Sequence, residues 1–352
     1  MPRAAMHEGR ESERQQAPII LVFGMPRSGT TWVGKVMDSH PGTLYRHEPD
    51  SGGTLNSIPL FAEPGEAEVY RHDVCAFLAA LPEMRSVRVA GKLPIFRKWS
   101  QSGVQHQLRK AALLWSKVKN RYGGEATVPE FLDESGRGKF QVVWKSIESL
   151  GRMGVIVRIL PESKVIHLIR HPCGYVASIL RGEREGRFSD RVASSDDYGI
   201  FNLLVGTEPA RRRGLTVQAF RKMLAIERLA WRWVLYNEKA MDDLDGFDQL
   251  QLVCYEKLCQ EPEKEFRRLF AFCGLSWEFQ TEEFIRDSCR DADPGYYSLT
   301  RHPAKAANRW REELTSEDVQ RVMRIAAVSR PGQLYSTMTG PVAKARYGAS
   351  GS

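Results

Sequence analysis

Four short runs in the chain are apolar with little interruption, and two of them pass directly into stretches with helical spacing. IILVF (19–23) leads through a glycine-rich loop into TTWVGKVMDSH (30–40). KVIHLIR (164–170) leads into a helical pattern that begins near Cys173, while QVVWK (141–145) and LQLVCYE (250–256) read as further core strands. Runs of this kind suit strands buried on both faces. Their alternation with helices predicts an α/β fold with a mostly parallel sheet covered by helices on both faces. A single long amphipathic helix is expected over 216–241.

The turn signals SGG, PGE and YGG punctuate helical stretches within 49–139, which suits an insertion above the sheet better than a separate domain. Residues 184–215 are charge-rich and form a second variable segment, in which Arg211, Arg212 and Arg213 read as a solvated face. The expected organisation is a disordered tail over 1–17, one domain over 18–330, and a loosely held tail rich in Gly, Ser and Ala over 331–352.

Composition narrows the ligand and not the fold. The chain has 352 residues, 42% of them apolar, enough for a sizeable core. A net charge of +8 favours an anionic ligand without choosing among nucleotide, glycan, nucleic acid and membrane. Six cysteines without a C-x-x-C pair read as reduced and mostly buried. The polar stretch 1–18 offers no signal peptide or anchor, so the expected location is cytoplasmic.

FGMPRSGTTWVG (23–34) carries the first candidate chemistry. Gly24 and Gly29 keep the spacing of a nucleotide-triphosphate loop, but Thr30 stands where that loop has its lysine. Positive charge moves instead to Arg27, and Thr30 and Thr31 sit at a helix N-terminus, so the loop can cradle a phosphate without a metal. Glu256 is the one strand-end acid in view as a magnesium ligand, a weak one.

PRSGTTW resembles the 5′-phosphosulfate loop of sulfotransferases that use 3′-phosphoadenosine 5′-phosphosulfate (PAPS), with Arg27, Ser28, Gly29, Thr30, Thr31 and Trp32 as its residues. The stretch 144–180 is similar to that family's lysine strand, helix, second strand, Arg and Ser. The resemblance implies that Lys145 reaches the sulfuryl group and that Arg170 and Ser178 hold the 3′-phosphate. VCYEKLCQEPEKEFRRLFAFCGL (253–275) resembles a segment that places Tyr255 near adenosine, and NRWREEL (308–314) resembles the final Trp-Lys motif. Trp32 is then expected to stack on adenine. Taken singly, each residue also has a plain reading: Arg170 as a strand cap, Ser178 as an ordinary helical serine, Trp32 and Tyr255 as packing residues.

Two departures shape the chemistry. Small-molecule sulfotransferases place a catalytic histidine two residues after the strand lysine, where this chain has Ile147. LYRHEPD (44–50) instead resembles the Glu-Pro strand ending of carbohydrate sulfotransferases, which makes Glu48 the expected base. His47 is adjacent, strand alternation is expected to point only one of the two at the site, and Glu148 is a further candidate. Before the final Trp, Arg301 and Lys305 remain as candidates for the 3′-phosphate, but the family's glycines are missing. The resemblance implies a P-loop-like fold, PAPS as cosubstrate, no metal, and a glycan or glycolipid hydroxyl as acceptor. The competing readings are a P-loop kinase using ATP and magnesium, and a non-catalytic basic glycan- or nucleic-acid-binding module; no recognised nucleic-acid motif is present.

Overall fold

The computed structural model describes residues 18–124, 126–131, 140–186, 192–290 and 303–336. Five strands, β1 (Ile20–Phe23), β2 (Thr43–His47), β3 (Gln141–Ser146), β4 (Lys164–Ile169) and β5 (Leu250–Cys254), form one sheet in the order β2-β3-β1-β4-β5. Every pairing is parallel. The architecture is the α/β type, with helices on both faces.

Alternation along the strands supplies two cores. Leu21 and Phe23 of β1 join Trp144, Val165, Ile169 and Trp233 on one face. Ile20 and Val22 join Val143, Ile166, Trp32, Val33 and Phe266 on the other. β1 lies between β3 and β4, so the chain crosses over in both directions from the middle of the sheet. Open α/β sheets bind ligands at the carboxyl edge beside such a reversal. The register puts Val22 level with Lys145, and Lys145 level with His47, at that edge.

The stretch expected as one helix over 216–241 is two, Val217–Lys222 and Ala225–Asp243. Leu224 is extended, and its amide donates to the Glu227 carboxylate at 2.9 Å, which starts a new helix and stops the old one. The arginine run also differs from a purely solvated face. Arg211 does pair with exposed Glu208, but Arg212 and Arg213 both reach the buried carboxylate of Glu238 on the longer helix. All six cysteines are free; Cys173, Cys259 and Cys273 are buried, Cys254 and Cys289 partly so, and Cys75 is exposed. Among the described residues, no helix is long and apolar enough to cross a membrane.

The chain after Pro331 is not loosely held throughout. Arg330–Ser336 is helical, and Tyr335 is fully buried, edge-on to His171, with its hydroxyl donating to the Ile169 carbonyl at 2.9 Å. An amphipathic signal is hard to read in a helix of so few turns, which is why glycine and serine dominated the sequence reading. Residues 337–352 lie outside the described residues. Tyr335→Ala is expected to destabilise the fold by about 3–5 kcal/mol through the cavity it opens. Tyr335→Phe keeps the ring, removes the hydroxyl's hydrogen bond to the Ile169 carbonyl, and is expected to cost less, about 1 kcal/mol per hydrogen bond lost. Urea unfolding of both variants checks this, and an unchanged midpoint for the alanine variant would contradict the packing described.

Candidate active site

The loop after β1 is shaped by close approach. A Cβ on Gly24 would lie 2.5 Å from the Leu168 carbonyl oxygen, and one on Gly29 would lie 2.5 Å from the Tyr255 ring. Gly29 also has φ 96°, in the left-handed region that glycine adopts at least cost. Arg27 takes the same region at φ 70° without that freedom. Ser28 is buried and donates to the Met25 carbonyl at 2.6 Å, closing the turn from inside. Gly29 then caps the Thr30–Ser39 helix without a side-chain acceptor. First-turn amides with no capping oxygen, preceded by Arg27 and accompanied by the hydroxyls of Thr30 and Thr31, make an anion cradle.

Arg27, Arg170 and Ser178 meet beside this cradle although they are far apart in sequence. Arg27 Nε donates to Ser178 Oγ at 3.1 Å, and Arg170 Nη1 donates to the Arg27 carbonyl at 3.0 Å. Arg170 Nη2 donates to the Ala306 carbonyl at 2.8 Å, and its guanidinium lies over the Tyr255 ring at 5.1 Å. Arg170 Nε is a buried donor with no acceptor among the described residues. Lys305 is exposed on the Pro303–Asn308 helix that supplies the Ala306 carbonyl; Arg301 lies outside the described residues.

The plain readings win for two residues. Trp32 is buried, edge-to-face with Phe266 at 5.1 Å and with Tyr255 at 6.4 Å, and its indole N–H donates to Ser288 Oγ at 2.9 Å. The indole is thus a core aromatic, held by the second core. Glu256 is buried too, and accepts from the His171 amide at 3.0 Å. Its carboxylate serves the start of the Pro172–Arg184 helix, with burial raising its pKa. Trp310 of the NRWREEL motif stacks on the His171 ring at 4.6 Å and so belongs to the same support.

On the other side of β1, the Glu48 carboxylate pairs with the ammonium of Lys145, which is almost wholly buried. Burial lowers the Lys145 pKa, and the Glu48 charge opposes that shift. Strand alternation does not separate His47 from Glu48 as expected. Glu48 has φ 49° and its amide donates to the Lys145 carbonyl at 2.8 Å, so the backbone turns at this residue and both side chains face the edge. His47 Nε2 lies 3.8 Å from Glu48 Oε1, and Nδ1 lies 2.8 Å from the Tyr45 hydroxyl. Burial, helped by Lys145 and Lys92, lowers the His47 pKa to about 2, so the ring is neutral. Glu148 is partly buried and 3.4 Å from Arg152, and burial raises its pKa. It makes no ion pair with Lys145 among the described residues.

The sequence reading passed over Asp50. This carboxylate has no exposed surface; it accepts from Trp144 Nε1 at 3.1 Å and from the hydroxyls of Ser146 and Ser149 at 2.5 Å. It ties the segment that carries Glu48 to the end of β3 that carries Lys145. An acid two residues beyond Glu48 in a Glu-Pro-Asp turn was the available signal.

Three other histidines share the behaviour of His47. Burial is the leading cause in each, lowering His40 and His167 to about 4, His171 to about 3 and His47 to about 2. The unfolded chain binds these protons near the ordinary value of about 6.5 and the folded chain does not, so stability falls as pH drops below about 6.5. Each group contributes up to about 1.4 kcal/mol per pH unit in that window. Urea unfolding at neutral pH and near pH 5 is expected to show a marked loss, and His167→Gln is expected to flatten the dependence. Equal stability at the two pH values would contradict the neutral assignments.

Comparison with known proteins identifies the family. The family model described as the Sulfotransferase family matches residues 18–198, which include the loop, Glu48, Lys145, Arg170 and Ser178. The chain is 23% identical to mouse (Mus musculus) carbohydrate sulfotransferase 5 over 325 residues, covering 87% of this chain and 78% of the relative. It is also 23% identical to human (Homo sapiens) carbohydrate sulfotransferase 6 over 326 residues, covering 88% and 78%. Among solved structures, the sulfotransferase domain from the curacin biosynthetic pathway aligns with a TM-score of 0.44 at 13% identity, covering 88% of this chain and 96% of that one. Mouse sulfotransferase SULT7A1 complexed with PAP aligns with a TM-score of 0.43 at 12% identity, covering 91% and 89%. The chain belongs to the sulfotransferase family and is close to its carbohydrate-type members.

Proposed function

We propose that the protein transfers the sulfuryl group of PAPS to a hydroxyl of a glycan. The observation that carries this reading is the convergence of Arg27, Arg170 and Ser178 on an uncapped helix N-terminus, one strand away from the Lys145–Glu48 pair. The first cluster suits the two phosphates of the donor: the 5′-phosphosulfate on the amides of Thr30 and Thr31 with Arg27, the 3′-phosphate toward Arg170 and Ser178. The buried Nε of Arg170, which has no acceptor among the described residues, and the glycine-shaped turn support that fit. The carbohydrate sulfotransferases among the relatives support a glycan acceptor.

In the reaction, the acceptor oxygen attacks sulfur, the bond from sulfur to the phosphate oxygen breaks, and 3′-phosphoadenosine 5′-phosphate leaves. Glu48 takes the acceptor's proton, and Lys145 offsets charge on the sulfuryl and leaving oxygens. The ion pair with Lys145 holds the Glu48 carboxylate at the sheet edge where the acceptor hydroxyl would arrive. His47, neutral and adjacent, orients the carboxylate. The kinase reading is weaker because Thr30 occupies the lysine position and Glu256 is committed to the His171 amide.

The bisphosphate product is expected to stabilise the protein thermally in the presence of a chelator. Arg170→Ala is expected to weaken its binding by about 1.5–3 kcal/mol while affecting adenosine 5′-phosphosulfate far less. Calorimetric titration with both ligands decides, and equal losses would remove the 3′-phosphate role.

Glu48→Gln is expected to lower turnover about 10²–10⁴-fold with the affinity for the bisphosphate nearly unchanged, and His47→Ala to do much less. Turnover near that of the unsubstituted protein in Glu48→Gln would move the base elsewhere.

A further inference from the structure

Gly103–Arg121, in the 49–139 segment, is a 19-residue helix with an inverted surface. It begins with a reciprocal cap, in which Ser102 Oγ accepts from the Gln105 amide at 3.2 Å and the Gln105 side chain accepts from the Ser102 amide at 2.7 Å. One face is buried: Leu113 packs with Ala90, Ile95 and Val128, and Ser116 donates to the Thr127 carbonyl at 2.9 Å. The opposite face carries Val104, Leu108, Ala111, Trp115, Val118 and, at the C-cap, Tyr122, and all are exposed. Their spacing alternates between four and three residues, so they form one continuous seam along the helix. Trp115 and Tyr122, at 71% and 84% exposed, are too large and too open to be incidental surface residues.

A surface helix normally turns its charged side outward. Here charge lies at the flanks of an outward apolar seam, with Lys110, Lys117 and Arg121 on one side and Lys119 on the other. The helix contains neither aspartate nor glutamate, and these four cations make no ion pair among the described residues. An aromatic and aliphatic seam bordered only by cations matches the boundary between lipid headgroups and acyl chains.

We propose that the Gly103–Arg121 helix docks the protein on the surface of an anionic lipid bilayer, with the seam from Val104 to Tyr122 laid into the headgroup boundary and the flanking lysines and arginine on the anionic headgroups. A second copy of the chain would cover the same seam, but the helix has no acid to answer the partner's cations. Charge complementarity therefore favours the lipid surface.

The helix rests on 87–98, the segment in which Arg88 donates to the Ser51 carbonyl and the Lys92 carbonyl accepts from Lys35 at 3.1 Å. Docking there sets the lipid surface against the 49–139 segment, which directly follows β2 and Glu48 in the chain. That the acceptor hydroxyl is borne on a lipid rests on the sulfuryl-transfer reading; the docking itself does not.

The test is co-sedimentation of the full chain with phosphatidylcholine vesicles, and with vesicles in which about a third of the lipid is phosphatidylglycerol. Binding is expected on the anionic vesicles, weakened by salt, and reduced about tenfold or more both by Leu108→Glu with Trp115→Glu and by Lys119→Glu with Arg121→Glu. Circular dichroism and thermal stabilisation by 3′-phosphoadenosine 5′-phosphate report whether each variant is folded. No binding to anionic vesicles, or equal binding by the seam variant, overturns the proposal. A dimer seen by sedimentation equilibrium that depends on the seam, without vesicle binding, overturns it in favour of a second copy. Loss of the nucleotide effect in the unsubstituted protein would count against the donor site alone, because vesicle binding is read without it.

Discussion

A buried ammonium group needs an answering charge, and Lys145 meets that need at the carboxyl edge of the sheet. Removing one partner of such a pair leaves an uncompensated charge in a poorly solvated place, a loss of about 3–5 kcal/mol. The chain therefore brings Glu48 to Lys145 and holds it there by several means. Its amide donates to the Lys145 carbonyl, its backbone adopts a left-handed turn, and Asp50 fastens the following loop to Trp144, Ser146 and Ser149. One electrostatic requirement fixes how β2 leaves the sheet, and with it the position of the Glu48 carboxylate.

Across β1 the balance of charge has the opposite character. Arg27 and Arg170 stand beside a helix N-terminus whose own dipole is positive. Glu256, the nearby acid at the end of β5, is turned to the His171 amide. Among the described residues, what holds the Arg170 guanidinium is neutral: the Arg27 carbonyl, the Ala306 carbonyl and the Tyr255 ring. Neutral acceptors orient a guanidinium without cancelling its charge. Burial first, and repulsion from nearby cations second, keeps His47 and His171 uncharged beside the site.

The legible part of the sequence was the part written in local pattern. Strands that are apolar on both faces, a glycine loop and a following helix identify themselves within a few residues, and the sheet and the loop follow from them. Arg170 and Ser178 were readable because they flank one strand-to-helix turn. What local pattern does not carry is a choice of partner. Trp32 beside a phosphate loop reads equally as an adenine platform or a core residue, and only Ser288, Phe266 and Tyr255, drawn from distant segments, decide it. Asp50 was invisible for the same reason, because its three donors come from β3 and the turn beyond. The expected alternation of His47 and Glu48 failed because the strand ends at His47, and period-two reasoning does not extend past a strand end.

The two halves of the site also differ in how tightly they are built. On one side lie the loop and the helices that start directly from β1, β4 and β5, joined by hydrogen bonds such as Arg27 to Ser178 and Arg170 to the Arg27 carbonyl. Substitution there breaks several contacts at once. On the other side, the 49–139 segment meets the sheet through fixed points that include Phe77 against Trp144, Glu130 with Arg46, and Asp50 with Trp144 and Ser146. Beyond those points its outer helix is free to carry residues that the fold does not use. The proposed transfer would use such a division, since the groups around sulfur have to keep one geometry whichever hydroxyl is presented.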